Sequence, residues 1–353
     1  MYNYVDVSGY GHSGKSVMID LLKEIDGFQV PDYFFEFDLL RIPGGLVDLR
    51  HNVHDNWSPI RSDAAIKRFR NVAYRMGVES LFSDPKSKLA VYGTQYEKYF
   101  RKIFFEETNK YIDSLIQSKS IKHDWPYLRI DESYWVLFFF KTLRKLSLER
   151  YFNFKYLTEY LFVDSDGFIE KSQHYLDSLF SVTVSNEKIH TIVLNNTFEP
   201  YNPRFSMELF PNSKSIVIRR DPRDIFASTF MPNKGFVPEF LKSPDHWKMK
   251  QGFLMVDKLD SFIKNQFLIN KSIKIDDNKK ILRLRYEDIV LKYDKTLKEI
   301  LNFLEVDKSK HTLKKKHFDP EKSKLNVGLW KQLSDQNSIR LIEETLSEFC
   351  YEI

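Results

Sequence analysis

The chain has 353 residues, 42% hydrophobic and 15% aromatic, with 30 Phe and 19 Tyr against only 12 Gly. This supports a real core, fits one large α/β domain or two smaller ones, and excludes a disordered or fibrous protein. A net charge of +5, from 54 basic and 49 acidic residues, fits an anionic ligand but is too small to argue for nucleic acid.

Val5 to Ser8 predicts a short strand, followed by a turn and a helix over Ser16 to Ile25 with Val17, Leu21 and Leu22 at core spacing. Asp26-Gly27 ends the helix, and Phe28 to Val30 predicts a second strand, stopped by Pro31-Asp32. Glu36 follows, set among Tyr33, Phe34, Phe35 and Phe37. Asp48 to Pro59 is polar and loop-like. It carries His51 and His54, but their spacing matches no standard metal site, and an acceptor-binding loop is the better reading. Ser62 to Met76 predicts a helix with a basic face.

Leu89 to Tyr92 is a short apolar run ending at Gly93. From Glu97 to Phe180 the apolar residues recur at helical spacing, so residues 60–185 are expected to form a helical insertion covering one side of a sheet. His123-Asp124, before Trp125-Pro126, is read as structural, because adjacent residues make a poor catalytic dyad. Ile189 to Leu194 is the next strand, and Asn195-Asn196-Thr197 stands at its C-terminal end, the edge where open parallel sheets bind ligands.

Two stretches carry chemistry. Gly9, Gly14, Lys15 and Ser16 fit the pattern G-x-x-x-x-G-K-[ST], in which glycines let the backbone curl around a phosphate and the helix start offers free N–H groups. Later, Ile216 to Ile218 is a strand, Arg220 its exit, Asp221 an N-cap and Pro222 the first helical residue. Ser228 falls two turns after the cap, on the same face, so Arg220 and Ser228 form a second anion site. A P-loop kinase also needs an Asp after an apolar strand to hold magnesium. Asn195 and Gly93 occupy the two available places.

Taken with strand-Arg-Asp-Pro-Arg-Asp-x-x-x-Ser at 215–228, the first loop resembles the sulfotransferases that use 3′-phosphoadenylyl sulfate. Arg283-Leu284-Arg285-Tyr286-Glu287-Asp288 is similar to the family's strand ending, Thr296 to Leu304 to the helix after it, and Ser323 to Lys331, with Gly328-x-Trp330-Lys331, to its C-terminal nucleotide loop. The resemblance implies an α/β fold with a mostly parallel, roughly five-stranded sheet. It implies a single sulfotransferase-like domain over 1–353, and sulfuryl transfer to an acceptor hydroxyl with no metal required. Gly11, His12, Ser13, Gly14, Lys15 and Ser16 would hold the 5′-phosphosulfate, Arg220 and Ser228 the 3′-phosphate, and Lys324 and Gly328 would add contacts.

His12 stands where the family's loop carries a lysine, so His12 and Lys15 are the candidate catalytic cations. No histidine follows Asn195-Asn196-Thr197, where many members carry their base. Some glycan-directed members use a glutamate after the second strand, and Glu36 stands there. Enclosure by Phe34, Phe35 and Phe37 would raise its pKa. A structural pairing with Arg41 is the alternative role, and Glu199, His51 and His54 are the alternative bases. The acceptor is then a carbohydrate or small hydroxylated molecule. A magnesium-dependent kinase and a non-catalytic nucleotide-binding module are the competing functions.

Cys350, the sole cysteine, excludes an intramolecular disulfide and a cysteine metal cluster, and fits a reducing compartment. Met1 leads straight into the first strand, unlike a signal peptide, and the densest apolar run, Tyr134 to Phe140, is far short of a membrane span. A cytoplasmic location is expected, with no membrane or nucleic-acid partner.

Overall fold

The structure is a computed structural model that describes residues 2–31, 35–78, 96–121, 134–146, 159–230, 259–275 and 278–352. Tyr33 and Phe34, the apolar run Leu89 to Tyr92 with Gly93, and the His123 to Pro126 segment lie outside the described residues. The strands are β1 (Asn3–Ser8), β2 (Phe28–Gln29), β3 (Ile116–Ile121), β4 (Glu159–Val163), β5 (Thr191–Asn195), β6 (Ser213–Arg219) and β7 (Ile281–Arg285). Five of them form one parallel sheet in the order β2-β5-β1-β6-β7.

Strands buried on both faces need apolar side chains on both, and these strands read that way. Tyr4, Ile192, Leu194 and Val217 face a core shared with the helices Pro59–Gly77, Phe104–Leu115 and Phe168–Ser181. Val5, Val7, Val193, Ile216 and Ile218 face the opposite core, shared with the helices Ser16–Leu22, Tyr286–Leu291 and Tyr293–Leu304. A third cluster packs the helix Pro222–Phe230 against Leu259–Ile275 and Gln336–Thr345. The doubly covered parallel sheet is the architecture expected from the sequence.

Three local expectations are corrected. The first helix ends at Leu22, Lys23 and Glu24 form a turn, and Ile25 bridges to His311. The polar stretch after Gly45 is not a loop: Leu46–Arg50 is helical and runs into a π-helical turn, His51–Asp55. Its polar residues are an outer face, because Leu46, Leu49 and Val53, spaced by three and four, are fully or almost fully buried. The span 97–180 is not all helix, since β3 and β4 pair antiparallel within it. Their pairing joins residues far apart in the chain, so no local period announces it. Leu161 and Val163 are buried, and Asp63 of the adjoining helix accepts the Leu161 N–H at 2.9 Å.

Asp6 interrupts β1 for a structural reason. It is fully buried and accepts the backbone N–H groups of Thr197 at 2.8 Å and Phe198 at 3.2 Å, and the Ser8 hydroxyl. One carboxyl thereby holds the turn that leaves β5. Burial pushes its pKa up from 3.8 to about 7, against the lowering effect of those hydrogen bonds. Between about pH 4 and about 7 the folded chain keeps a proton that the unfolded chain has released, so this group makes stability fall as pH rises through that window. Asp6→Asn keeps an acceptor for both N–H groups and removes the titration. Its unfolding temperature should vary less than the native protein's over that window. Parallel melting-versus-pH curves for the two proteins would refute the assignment.

Candidate active site

The C-terminal ends of β1, β5, β6 and β7 open onto a cavity of about 800 Å³. The turn after β1 supplies one wall. His12 (φ 63°) and Gly14 (φ +82°) are left-handed, and Lys15 returns to the right-handed region. Such alternation curls successive N–H groups toward one concavity, and the first helical turn adds N–H groups that no carbonyl within the helix reaches. Gly14 is required twice. Its φ disfavours any side chain, and a Cβ there would lie 2.4 Å from the Tyr286 ring. Ser13 is buried in the cavity wall, and its hydroxyl has no hydrogen-bond partner among the described residues.

Lys15 leans from the helix start across the end of β5. Its Nζ lies 2.5 Å from Glu36 Oε1 and 2.6 Å from Asn195 Oδ1. Glu36 Oε2 accepts from Arg41 Nη2 at 3.2 Å and from Asn196 Nδ2 at 3.1 Å. The expected aromatic enclosure of Glu36 is therefore corrected. Phe35 stacks on Tyr99 and Phe37 is buried in the core, while the carboxylate is gripped by two cations and an amide, with 29% of the side chain exposed. The pairing with Arg41 and the position in the cavity wall occur together. Of the alternative bases, His51 meets Asn56 and His54 stacks on Phe168. Neither they nor Glu199 lines the cavity. Burial pushes the Glu199 pKa up, with Arg41 opposing.

Arg220 leaves β6 into the same cavity, 6% exposed. Its Nη1 donates to His12 O at 3.1 Å and its Nη2 to Asn326 O at 2.5 Å, and its guanidinium lies over the Tyr286 ring, 4.9 Å from the centroid. Its Nε is buried with no partner among the described residues. Ser228 also lines the cavity and donates to Ile225 O at 2.8 Å, which leaves its lone pairs for another donor. The intervening acids are structural. Asp221 Oδ1 accepts the Arg223 N–H, capping the helix. Asp224 accepts the N–H groups of Gly328 at 2.9 Å and Trp330 at 3.2 Å, drawing the C-terminal loop onto this helix. Glu287, pushed up to about 7 by burial, accepts the Asp221 N–H at 2.8 Å.

The cavity thus gathers Gly11 to Ser16, Glu36, Arg220 and Ser228. Two residues expected to contact the nucleotide lie outside the cavity wall. Lys324 turns back to Glu321, with Nζ 2.7 Å from Oε1, and does not line the cavity; Lys322 does. Gly328 does not line it either; its left-handed φ of 76° turns the chain so that Asn326 and Leu329 do. Sequence reasoning placed Asn196 at the ligand-binding edge without giving it a role, and missed Lys322 and Tyr286 as cavity residues. Tyr286 was findable inside the Arg-Tyr-Glu-Asp stretch, whereas a surface lysine carries no signal of its own.

A model described as the sulfotransferase family matches residues 95–310, more than half of the chain. The chain belongs to the sulfotransferase family. Among solved structures it is similar to the sulfotransferase domain of the Synechococcus PCC 7002 olefin synthase, at 13% identity over 99% of this chain and 95% of that one, with a TM-score of 0.40. It is similar to sulfotransferase STF1 of Mycobacterium tuberculosis at 10% identity over 99% and 77%, with a TM-score of 0.38. It is also similar to a retinol dehydratase, solved with androsterone and the inactive cofactor PAP, at 14% identity over 98% and 80%, with a TM-score of 0.35. No curated protein matches it.

The geometry at Gly14 yields a direct test. Gly14→Ala combines a left-handed alanine, costing roughly 1–2 kcal/mol, with a collision at Tyr286. The urea midpoint should fall, and affinity for inorganic sulfate or pyrophosphate in the loop should drop at least about tenfold, the scale of one lost charge-assisted hydrogen bond. Native values of both would mean that the turn is not the cradle.

Proposed function

We propose that this sulfotransferase moves a sulfuryl group from 3′-phosphoadenylyl sulfate to a hydroxyl of a carbohydrate or small-molecule acceptor. The observation that carries the reading is one cavity with two separate places for an anion. One is the nest formed by Gly11 to Ser16, with the unpartnered Ser13 hydroxyl; the other is Arg220 with Ser228, where Arg220 Nε is unpartnered. These residues fit a donor that has a phosphosulfate at one end and a 3′-phosphate at the other. The bound donor supplies the activated sulfuryl group and a stable bisphosphate leaving group.

The chain's own residues divide the remaining work. Lys15, at the mouth of the nest, meets the negative charge that grows on the leaving phosphate, and His12 donates beside it. Glu36 takes the proton of the acceptor hydroxyl, and its ion pair with Lys15 keeps base and cradle adjacent. Lys322 adds positive charge to the wall. No metal is assigned a part in this scheme. We read residues 1–353 as one domain in which residues 60–185 are inserted, because the helices Pro59–Gly77, Phe104–Leu115 and Phe168–Ser181 pack on one face of the sheet. Among the described residues no helix is long and apolar enough to cross a membrane. A cytoplasmic setting is part of the proposal and rests on the sole cysteine, Cys350.

Nucleotide choice tests the donor. By calorimetry, 3′-phosphoadenosine 5′-phosphate should bind more tightly than ATP with magnesium, and Arg220→Ala should weaken it at least about tenfold, as expected for a lost charge-assisted hydrogen bond. Equal affinity with and without the 3′-phosphate would reject the donor and favour the kinase alternative.

Turnover tests the base. Glu36→Gln keeps the shape, removes the proton acceptor, and should lower kcat by about 10²–10⁴ with donor affinity intact. Lys15→Ala should also lower kcat more than donor affinity. Near-native turnover in Glu36→Gln would remove Glu36 from the chemistry.

A further inference from the structure

Asn195 and Asn196 are 3% and 8% exposed, and a regular strand would send their side chains to opposite faces. Asn196 is left-handed (φ 52°), a conformation asparagine tolerates better than most residues. Both amides meet the same ion pair: Asn195 Oδ1 accepts from Lys15 at 2.6 Å, and Asn196 Nδ2 donates to Glu36 at 3.1 Å. The amide orientations follow from their partners. Asn196 Oδ1 accepts the Gly9 N–H at 3.3 Å, which is only a donor, so Nδ2 is the atom that faces the carboxylate. Asn195 likewise lies between Lys15, a pure donor, and the Phe35 carbonyl, a pure acceptor, at 3.2 Å.

We infer that Asn196 is a positioning residue for the sulfuryl-transfer step, linking the phosphate loop at Gly9 to the carboxylate of Glu36; the inference rests on the reading of Glu36 as the base. A carboxamide carries a donor and an acceptor on separate atoms of one planar group, so it accepts the Gly9 N–H and donates to Glu36 at the same time. The amide donates to Glu36 Oε2, so replacing it changes the hydrogen bonding of that carboxylate directly. The other charged groups at this carboxylate are Lys15 from the first helix and Arg41 from the following turn. Asp38 pairs with Arg41, and Glu199, beyond β5, acts on Arg41. Of these, Asn196 is the neutral contact that also touches the loop, so it couples the loop's position to the base without adding charge.

The test compares native protein with Asn196→Asp, Asn196→Gly and Glu36→Gln. Asn196→Asp keeps the acceptor for Gly9 and sets a like charge against Glu36. Asn196→Gly keeps the left-handed backbone and removes the amide. Affinity for 3′-phosphoadenosine 5′-phosphate, read by calorimetry, should stay within about threefold of native in both, which also reports folding. The acidic limb of the kcat–pH profile should move to higher pH in the order native, Asn196→Gly, Asn196→Asp, and kcat near neutral pH should fall about tenfold or more in Asn196→Asp. If Glu36→Gln loses turnover while both Asn196 variants keep the native limb and rate, the positioning role is overturned and the base stands. Native turnover in Glu36→Gln overturns the base and this inference together. A large loss of nucleotide affinity in Asn196→Gly with the limb unmoved would make Asn196 a donor-binding residue and also overturn it.

Discussion

The site depends on one buried charge. Taking a guanidinium out of water costs several kcal/mol unless it is paired. Among the described residues Arg220 meets His12 O in the loop after β1, Asn326 O in the C-terminal loop, and the face of Tyr286 beyond β7. Three distant stretches of chain are thereby held against one cation. The carboxylates of Asp224 and Glu287 also act on this guanidinium, while their own hydrogen bonds go to backbone N–H groups.

Buried carboxylates do the complementary work of holding loops by their N–H groups. Asp6 holds the turn after β5, Asp224 the segment at Gly328 and Trp330, and Glu287 the Asp221 N–H. Glu24, fully buried, accepts the N–H groups of Lys315, His317 and Phe318 and pairs with His311, anchoring the chain just before the C-terminal loop. Loops at the carboxyl ends of parallel strands lack ladder partners for their backbone donors. Asp6 and Asp224 each satisfy two such donors, Glu24 three and Glu287 one, and so they set the paths of these segments. These acids hold loops, while Glu36, with its side chain 29% exposed, stays at the wall of the cavity.

Lys15 and Glu36 tie the turn after β1 to the end of β5. A lysine bonded both to Glu36 and to Asn195 is already oriented, so little side-chain freedom would be lost were an anion to enter the nest. The asparagines beside it supply that orientation without competing charge.

The parallel sheet, the glycine turn after β1 and the helix start that carries Arg220 and Ser228 were legible in the sequence, because each has a short-range cause. Val5, Val7, Ile216 and Ile218 lie in short apolar runs bounded by turn residues, Gly14 and Lys15 stand at fixed offsets from Gly9, and Asp221-Pro222 opens a helix. What only the tertiary structure decided has long-range causes. The β3–β4 pair joins segments some forty residues apart and leaves no local period. The polar stretch at 48–55 reads as loop until its buried Leu49 and Val53 are seen against the core. Lys322, and not Lys324, faces the cavity because a two-residue offset on a short turn reverses direction. Glu36 could be located by its position after β2, but its environment could not be read: Lys15, Arg41 and Asn196 reach it from three places in the chain, and the aromatic residues beside it in sequence pack elsewhere. Sequence neighbours determine backbone conformation, whereas the electrostatics of a side chain belong to whatever the fold brings within a few ångströms of it.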